Sequence, residues 1–342
     1  MCIRDSAWGA RLAKYRRPDN RRALIEIALT VVPFVLVWAS IWALMRAGYV
    51  TTFIAGLLAL LPAAGFMLRL FIIQHDCGHG SMFTSRRAND WLGRVLGIFT
   101  FTPYEFWRLQ HANHHATSGN LDRRGIGDIE TLTVNEYLQR GKFYRLLYRI
   151  YRNPLVLFGI GPSYLFILRH RLPFGSMKVN RKLWVSTLTT NVGIVAVCAA
   201  IIYATSWQMF LLIQVPIVIL AATFGMWLFY VQHQFDETHW DRNDEWQRET
   251  SALHGSSYYD LPKPLMWISG NIGIHHVHHL CSRIPFHKLP QVMNDHPELK
   301  EVGRLTLWES FKNVKLTLWD EERRELVTFR EIQQRLQATG AT

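Results

Sequence analysis

Eight of the fifteen histidines fall into three tight groups: His75 and His79 in HDCGH, His111, His114 and His115 in HANHH, and His275, His278 and His279 in HHVHH. On a helix, residues at i and i+4, or at i, i+3 and i+4, project from one face, so each group can aim its imidazoles at one point. Neutral imidazole is the commonest side-chain ligand for mid-row divalent metals, and eight rings exceed what one ion accepts. Two metal ions are therefore expected. Structural zinc is usually closed by four ligands that include thiolates, whereas an all-imidazole pair with open positions suits redox-active iron, which can activate dioxygen. Cys77 sits between the histidines of the first group but on another helix face, so thiolate ligation is not expected. His276 points about 100° away from His275 around a helix and is expected to support the site rather than ligate.

The elements that must position these rings are apolar runs. Residues 23–45, 51–73, 183–205 and 209–231 are each near the roughly 20 residues needed to cross a bilayer. They form two hairpins. The connections 46–50 and 206–208 hold one basic residue, Arg46, while residues 74–182 hold sixteen Lys and Arg. By the positive-inside rule the termini and the long middle segment are cytoplasmic. His75 follows the second span and His233 the fourth, at one depth, so His233 in FYVQHQF is expected as a ninth ligand. Pro33, Pro62 and Pro216 lie in the spans and are expected to kink them. Residues 91–106 and 154–168 are shorter apolar pieces, short for a span and expected at the interface, and the basic amphipathic run 137–151 suits the headgroup plane. The expected fold class is thus an all-α membrane protein, with four transmembrane helices in two hairpins, interfacial helices and a cytoplasmic histidine-rich cap. The cap comprises 74–182 and 232–342, and the whole of 1–342 is expected to be a single domain.

Composition agrees. In 342 residues, 49% are hydrophobic and only 19% charged, and the formal charge is +12. Such charge suits nucleic acid or an anionic leaflet; the spans, and the lack of any nucleic-acid motif, favour the membrane and exclude nucleic acid as a partner. A histidine-rich transporter would carry ionisable groups inside the bilayer, and these spans are nearly free of them. Cys2, Cys77, Cys198 and Cys281 show no regular spacing and are expected to be free thiols in a reducing compartment. Arg4 and Arg11 are followed by no short apolar core with a cleavage site, so no cleaved signal peptide is expected.

HDCGHGSMF, HANHHATSGNLDRRGIGDIETLTVNEY and GNIGIHHVHHL resemble the three histidine boxes of the membrane fatty acid desaturase family. YRNPLVLFGIGPSY, WLFYVQHQFDETHW, GSSYYDLP and LWDEE narrow the likeness to its bacterial acyl-lipid branch, that of the bacillus-type delta-5 phospholipid desaturases. The likeness runs from about residue 23 to residue 333. It implies a di-iron centre held by the box histidines, with no catalytic residue beyond the metal ligands and with dioxygen as cosubstrate. The implied activity is insertion of a cis double bond into an acyl chain of a membrane phospholipid, at the cytoplasmic side of a bacterial inner membrane. No HPGG haem motif is present, so electrons are expected from a ferredoxin-like or other external donor. A di-iron hydroxylase, ketolase or alkane monooxygenase uses a similar histidine set and is the alternative reading. An unactivated methylene has no proton acidic enough for a side chain to take, so an oxidant is needed, and an apolar channel must hold the chain beside the metals. Asp76, Glu105, Asp128, Asp236, Asp260 and Asn271 are candidates to orient the imidazoles. Arg86 with Arg87, and Arg123 with Arg124, are candidates to dock an acidic carrier or lipid phosphates.

Overall fold

The computed structural model describes residues 7–174 and 180–338. A first hairpin is formed by α1 (Asn20–Arg46) and α2 (Val50–His79). The connecting region contributes α3 (Arg86–Phe99), α4 (Tyr104–Thr117) and α5 (Lys142–Tyr151). The second hairpin is α6 (Arg181–Ala204) and α7 (Trp207–His233), and α8 (His275–Leu280) lies in the following region. Of these, α1, α2, α6 and α7 are long and apolar enough to cross a membrane. Leu24, Val32 and Leu36 on α1, and Val192 and Val195 on α6, are exposed, which suits hydrocarbon and not water. The chain is an all-α membrane protein.

Local chemistry explains the helix ends. Asp19 caps α1 by accepting from the backbone N–H groups of Arg21 and Arg22 at 2.9 and 3.1 Å. Pro33 and Pro62 sit inside continuous helices. Pro216 lacks an N–H for the previous turn, and the chain takes a wide π-turn at Phe210–Gln214 just before it. Residues 91–106 are not one apolar piece: Phe101 adopts φ 58°, and the chain turns between α3 and α4, with Thr102 N–H donating to the Gly97 carbonyl at 2.8 Å. Residues 154–168 form an irregular helix with two π-turns that packs along α7. On α5, Phe143, Tyr144, Leu147 and Ile150 stay exposed beside Lys142, Arg145 and Arg149, a face fitted to a headgroup layer.

Two small sheets, not expected from the sequence, tie distant parts of the cap together. Strand β1 (Leu132–Thr133) pairs in parallel with β4 (Leu318–Asp320), which is antiparallel to β5 (Glu325–Val327); β2 (Tyr258–Asp260) pairs in parallel with β3 (Arg304–Thr306). A second correction concerns the thiols. Cys77 and Cys198 are free as expected, whereas Cys281 is disulfide-bonded, because pairing follows approach in space and not spacing in sequence. Cys2 and Arg4 lie outside the described residues.

Two buried cations organise the polar interior. Arg152, 3% exposed, has no carboxylate bonded to it among the described residues and instead donates to the carbonyls of Glu130 and Leu316, to Thr131 Oγ1 and to Gln234 Oε1, at 2.7 to 3.2 Å. It thereby ties the end of α5 to the end of α7 and to the C-terminal part of the cap. Arg69 on α2 and Glu26 on α1, both buried, meet at 2.6 Å, and Arg69 also donates to Thr30 Oγ1 at 3.1 Å and to the Trp267 carbonyl. Glu26 also pairs with the half-exposed Arg22 at 2.6 Å, so it is removal of Glu26, and not of Arg69, that leaves an uncompensated buried charge, at a cost of about 3–5 kcal/mol. Glu26→Gln is expected to lower stability by that amount in detergent unfolding, while Arg69→Met added to it recovers much of the loss; equal losses in the single and double variants would refute the coupling.

Candidate metal centre

Four elements deliver the histidines. The first box lies in the last turn of α2, which ends where Gly80 takes φ 69° and donates its N–H to the Cys77 carbonyl at 3.0 Å. The second box forms the C-terminal half of α4, whose i, i+3 and i+4 positions share a face. Gly270 and Asn271, at φ 59° and 54°, turn the chain just ahead of α8, which is the third box. His233 is the last residue of α7.

All nine candidate ligands converge, in two groups. His75, His79, His111, His115 and His278 form one, and His114, His233, His275 and His279 the other; within each, one nitrogen per ring lies within 4.8 Å of all the rest. The boxes are thus shared: the second box sends His111 and His115 to one group and His114 to the other, and the third sends His278 to the first and His275 and His279 to the second.

The nitrogen spacings fit metal ions. In the first group, Nε2 of His111 lies 3.0 Å from Nε2 of both His79 and His115, and His115 Nε2 lies 3.1 Å from His278 Nε2. In the second, His275 Nε2 lies 3.0 and 3.1 Å from those of His233 and His279. A neutral imidazole carries one proton, so such chains of nitrogens cannot all be satisfied by hydrogen bonds to one another. Ligand bonds of about 2.1 Å at right angles put neighbouring nitrogens about 3.0 Å apart, which matches. Burial holds His111, His115, His275, His278 and His279 well below the usual imidazole range, so their lone pairs are free. Buried His114 Nε2 has no hydrogen-bond partner, as a ligand atom would lack one before a metal binds. The cluster can hold metal.

Supporting groups orient the rings. His114 donates from Nδ1 to the Asp128 carboxylate, and His233 from Nδ1 to the Gly255 carbonyl at 3.2 Å. The Asp128 contact needs a close approach: at Gly127, φ 80°, a Cβ would lie 2.9 Å from the Gln110 carbonyl oxygen and 3.3 Å from His114 Cβ. His276 turns away, as its position predicts, and donates from Nε2 to the Leu299 carbonyl at 3.0 Å; burial lowers its pKa to about 4. The other carboxylates do different work. Asp76 lies 3.5 Å from His75 Nδ1 but accepts from the Phe286 N–H at 2.8 Å. Glu105 binds Arg94 and Ser186, Asp260 binds Arg304, and Asp236 is exposed. Asn271 donates to the Phe286 carbonyl. Arg86 pairs with Asp90 and Arg124 with Glu136, while Arg87 and Arg123 are exposed. Trp107, which sequence reasoning overlooked, stacks on His111 with centroids 4.7 Å apart; its place one turn before His111 on α4 was the available signal.

A cavity of about 650 Å³ opens from the cluster, where His75, His111 and His275 form part of its wall. It passes between α2, α7 and residues 154–168, lined by such side chains as Met67, Leu68, Phe71, Val218 and Ala222. Phe166, Tyr164 and His170 close another part of the wall, and no spacing pattern marked them in advance. The arrangement sets a buried cluster of imidazole nitrogens against an apolar slot.

A family model described as fatty acid desaturase matches residues 50–310. The chain is 42% identical over 321 residues to a fatty acid desaturase of Bacillus subtilis, covering 94% of this chain and 90% of that protein. It is 30% identical over 259 residues to an sn-1 acyl-lipid omega-3 desaturase (ferredoxin) of Synechocystis sp., covering 71% and 68%. An sn-1 oleoyl-lipid 12-desaturase of Anabaena variabilis shares 23% over 290 residues, covering 79% and 75%. Likeness of that extent, on a chain that buries its histidines beside an apolar slot, makes this protein a member of the fatty acid desaturase family and so an oxidoreductase.

Proposed function

We propose that the protein is an acyl-lipid desaturase, which uses two histidine-bound iron ions, dioxygen and external electrons to insert a cis double bond into an acyl chain of a membrane lipid. The observation that carries this reading is the meeting of two imidazole groups with one end of an apolar cavity. His75, His79, His111, His115 and His278 would hold one ion and His114, His233, His275 and His279 the other. Donor sets without thiolate favour iron over a closed zinc site, and neither set saturates an octahedral ion. When bound, the iron pair supplies an oxidant able to break unactivated C–H bonds. The balance is one CH2–CH2 unit, one dioxygen, two protons and two electrons giving one CH=CH unit and two waters. The protein's own residues hold the chain in the slot, orient the imidazoles through Asp128 and Gly255, and keep bulk water from the reacting carbons.

Residues 1–342 are read as one desaturase domain, with the cap and both termini on the cytoplasmic side, as the sixteen basic residues of 74–182 favour. An electron carrier would then reach the metals from the cytoplasm. The Synechocystis relative's name specifies ferredoxin, and the exposed Arg87 and Arg123 suit a small acidic carrier of that kind.

Expression in a desaturase-deficient host, with mass spectrometry of derivatised acyl chains, is expected to show a new double bond at one position; an added oxygen in its place would sink the reading. His114→Ala and His278→Ala are each expected to lose metal and turnover while still inserting in the membrane, and Asp128→Asn to weaken metal affinity about 10- to 100-fold, checked by metal analysis of the purified variants. Acid should also act. A histidine with a depressed folded pKa contributes stability above its unfolded value of about 6.5, and this is lost as pH falls toward the folded value, about 4 for His276. Metal-free protein is therefore expected to melt at progressively lower temperature between pH 6.5 and about 4, and the metal-loaded form to release its ions over an acidic range as protons compete for the same lone pairs.

A further inference from the structure

His170 lies far in sequence from the boxes, yet it lines the same cavity. It is 4% exposed and packs edge-on against Phe166 and Phe106, at centroid distances of 5.2 and 6.4 Å. Its Nδ1 is enclosed and has no hydrogen-bond partner. Away from the metal-binding rings, no other cavity-lining residue has an enclosed side-chain nitrogen or oxygen in that condition among the described residues. Several other polar groups of the lining are committed: Thr100 to Gln74, Gln232 to the Ile272 carbonyl and Asp128 to His114.

The backbone at this point is held firmly. Arg171 Nη1 donates to Asn191 Oδ1 at 2.8 Å, Asn191 Nδ2 donates back to the Arg171 carbonyl at 2.7 Å, and Arg171 also donates to the Phe101 carbonyl. These bonds join the chain beside His170 to α6 and to the turn before α4. Burial, together with Arg171 and Arg169 nearby, lowers the pKa of His170 to about 3, so the ring is neutral and has one N–H. A buried N–H without an acceptor is rarer, and costs more, than an acceptor without a donor. The proton therefore belongs on Nε2, the nitrogen that is not enclosed, and the ring offers the cavity a hydrogen-bond donor. An apolar chain alone would leave that donor unpaired.

Building on the desaturase reading, we infer that His170 donates from Nε2 to the carbonyl oxygen of the ester joining the acyl chain to its lipid, and so selects which methylene pair meets the metals. Phe106, beside His170, precedes His111 by five residues of α4, a rise of about 7.5 Å, so the anchor and the metal centre lie a fixed fraction of an acyl chain apart. The apolar arm toward Met67, Val218 and Ala222 then takes the methyl end.

The test uses metal-loaded full-length protein in proteoliposomes, with a ferredoxin-type donor and phosphatidylglycerol bearing hexadecyl chains linked by ester or by ether. Wild type is expected to place one double bond in the ester lipid, and to react about 5- to 10-fold more slowly and at mixed positions in the ether lipid, the loss expected for one hydrogen bond. His170→Leu should treat both lipids as wild type treats the ether, with metal content unchanged, and His170→Gln, which keeps a donor, should restore the single position. A palmitoyl thioester offered in place of the lipid separates the two sources of such a carbonyl: equal or better turnover with the thioester overturns the ester assignment. Identical rates and positions for ester and ether lipids in wild type, or a His170→Leu variant unchanged with the ester, would overturn the role of His170. Wild type yielding no double bond in any substrate would overturn the desaturase reading itself.

Discussion

Gathering nine imidazoles in one buried place is the constraint on which the rest of the structure depends. Each ring must stay uncharged, because neighbouring imidazolium ions 3.0 to 3.3 Å apart would repel strongly in a medium that screens poorly. Each must also present one chosen nitrogen inward. At His111, His115, His275, His278 and His279 burial serves the first requirement by disfavouring protonation, and groups packed behind the rings serve the second: Asp128 behind His114, the Gly255 carbonyl behind His233, and the indole of Trp107 against the face of His111. The helix that carries the first box runs past the lipid-crossing length to reach this point, and α7 ends on His233, so the membrane helices are themselves the pillars of the centre.

A cluster held from four elements is only as rigid as the contacts among them. Several of those contacts are polar. Arg152 satisfies carbonyls and side-chain oxygens from parts of the chain separated by more than a hundred residues, and the Glu26–Arg69 pair crosses the first hairpin near the third-box region through the Trp267 carbonyl. In a poorly screening interior such groups cannot drift without exposing an unpaired charge, so they fix geometry even where their net contribution to stability is modest. The two short sheets add the same kind of registration in the cap.

The cavity joins the clustered imidazole nitrogens to the apolar interior of the helix bundle. Its wall depends on the irregular helix of residues 154–168, whose π-turns widen the backbone path as it packs beside α7. Polar punctuation in the slot is sparse, which is why a single buried imidazole such as His170 can carry positional information.

The sequence by itself determined the spans, the three boxes and the place of His233. These are readable because helix length, apolar content and i, i+3, i+4 spacing are local properties, and because the ends of two spans fall at one depth. The tertiary structure alone decided how the boxes are divided, with His114 separated from His111 and His115, and His278 from His275 and His279. It also decided that Asp128, of five candidate carboxylates, accepts from a box histidine; that Arg69 has a partner in Glu26; that Cys281 is not a free thiol; and that His170 joins the cavity wall. The physical reason is common to all of these. Each depends on the approach of groups far apart along the chain, to within a hydrogen bond or a ligand bond, and no periodicity in the sequence encodes that distance.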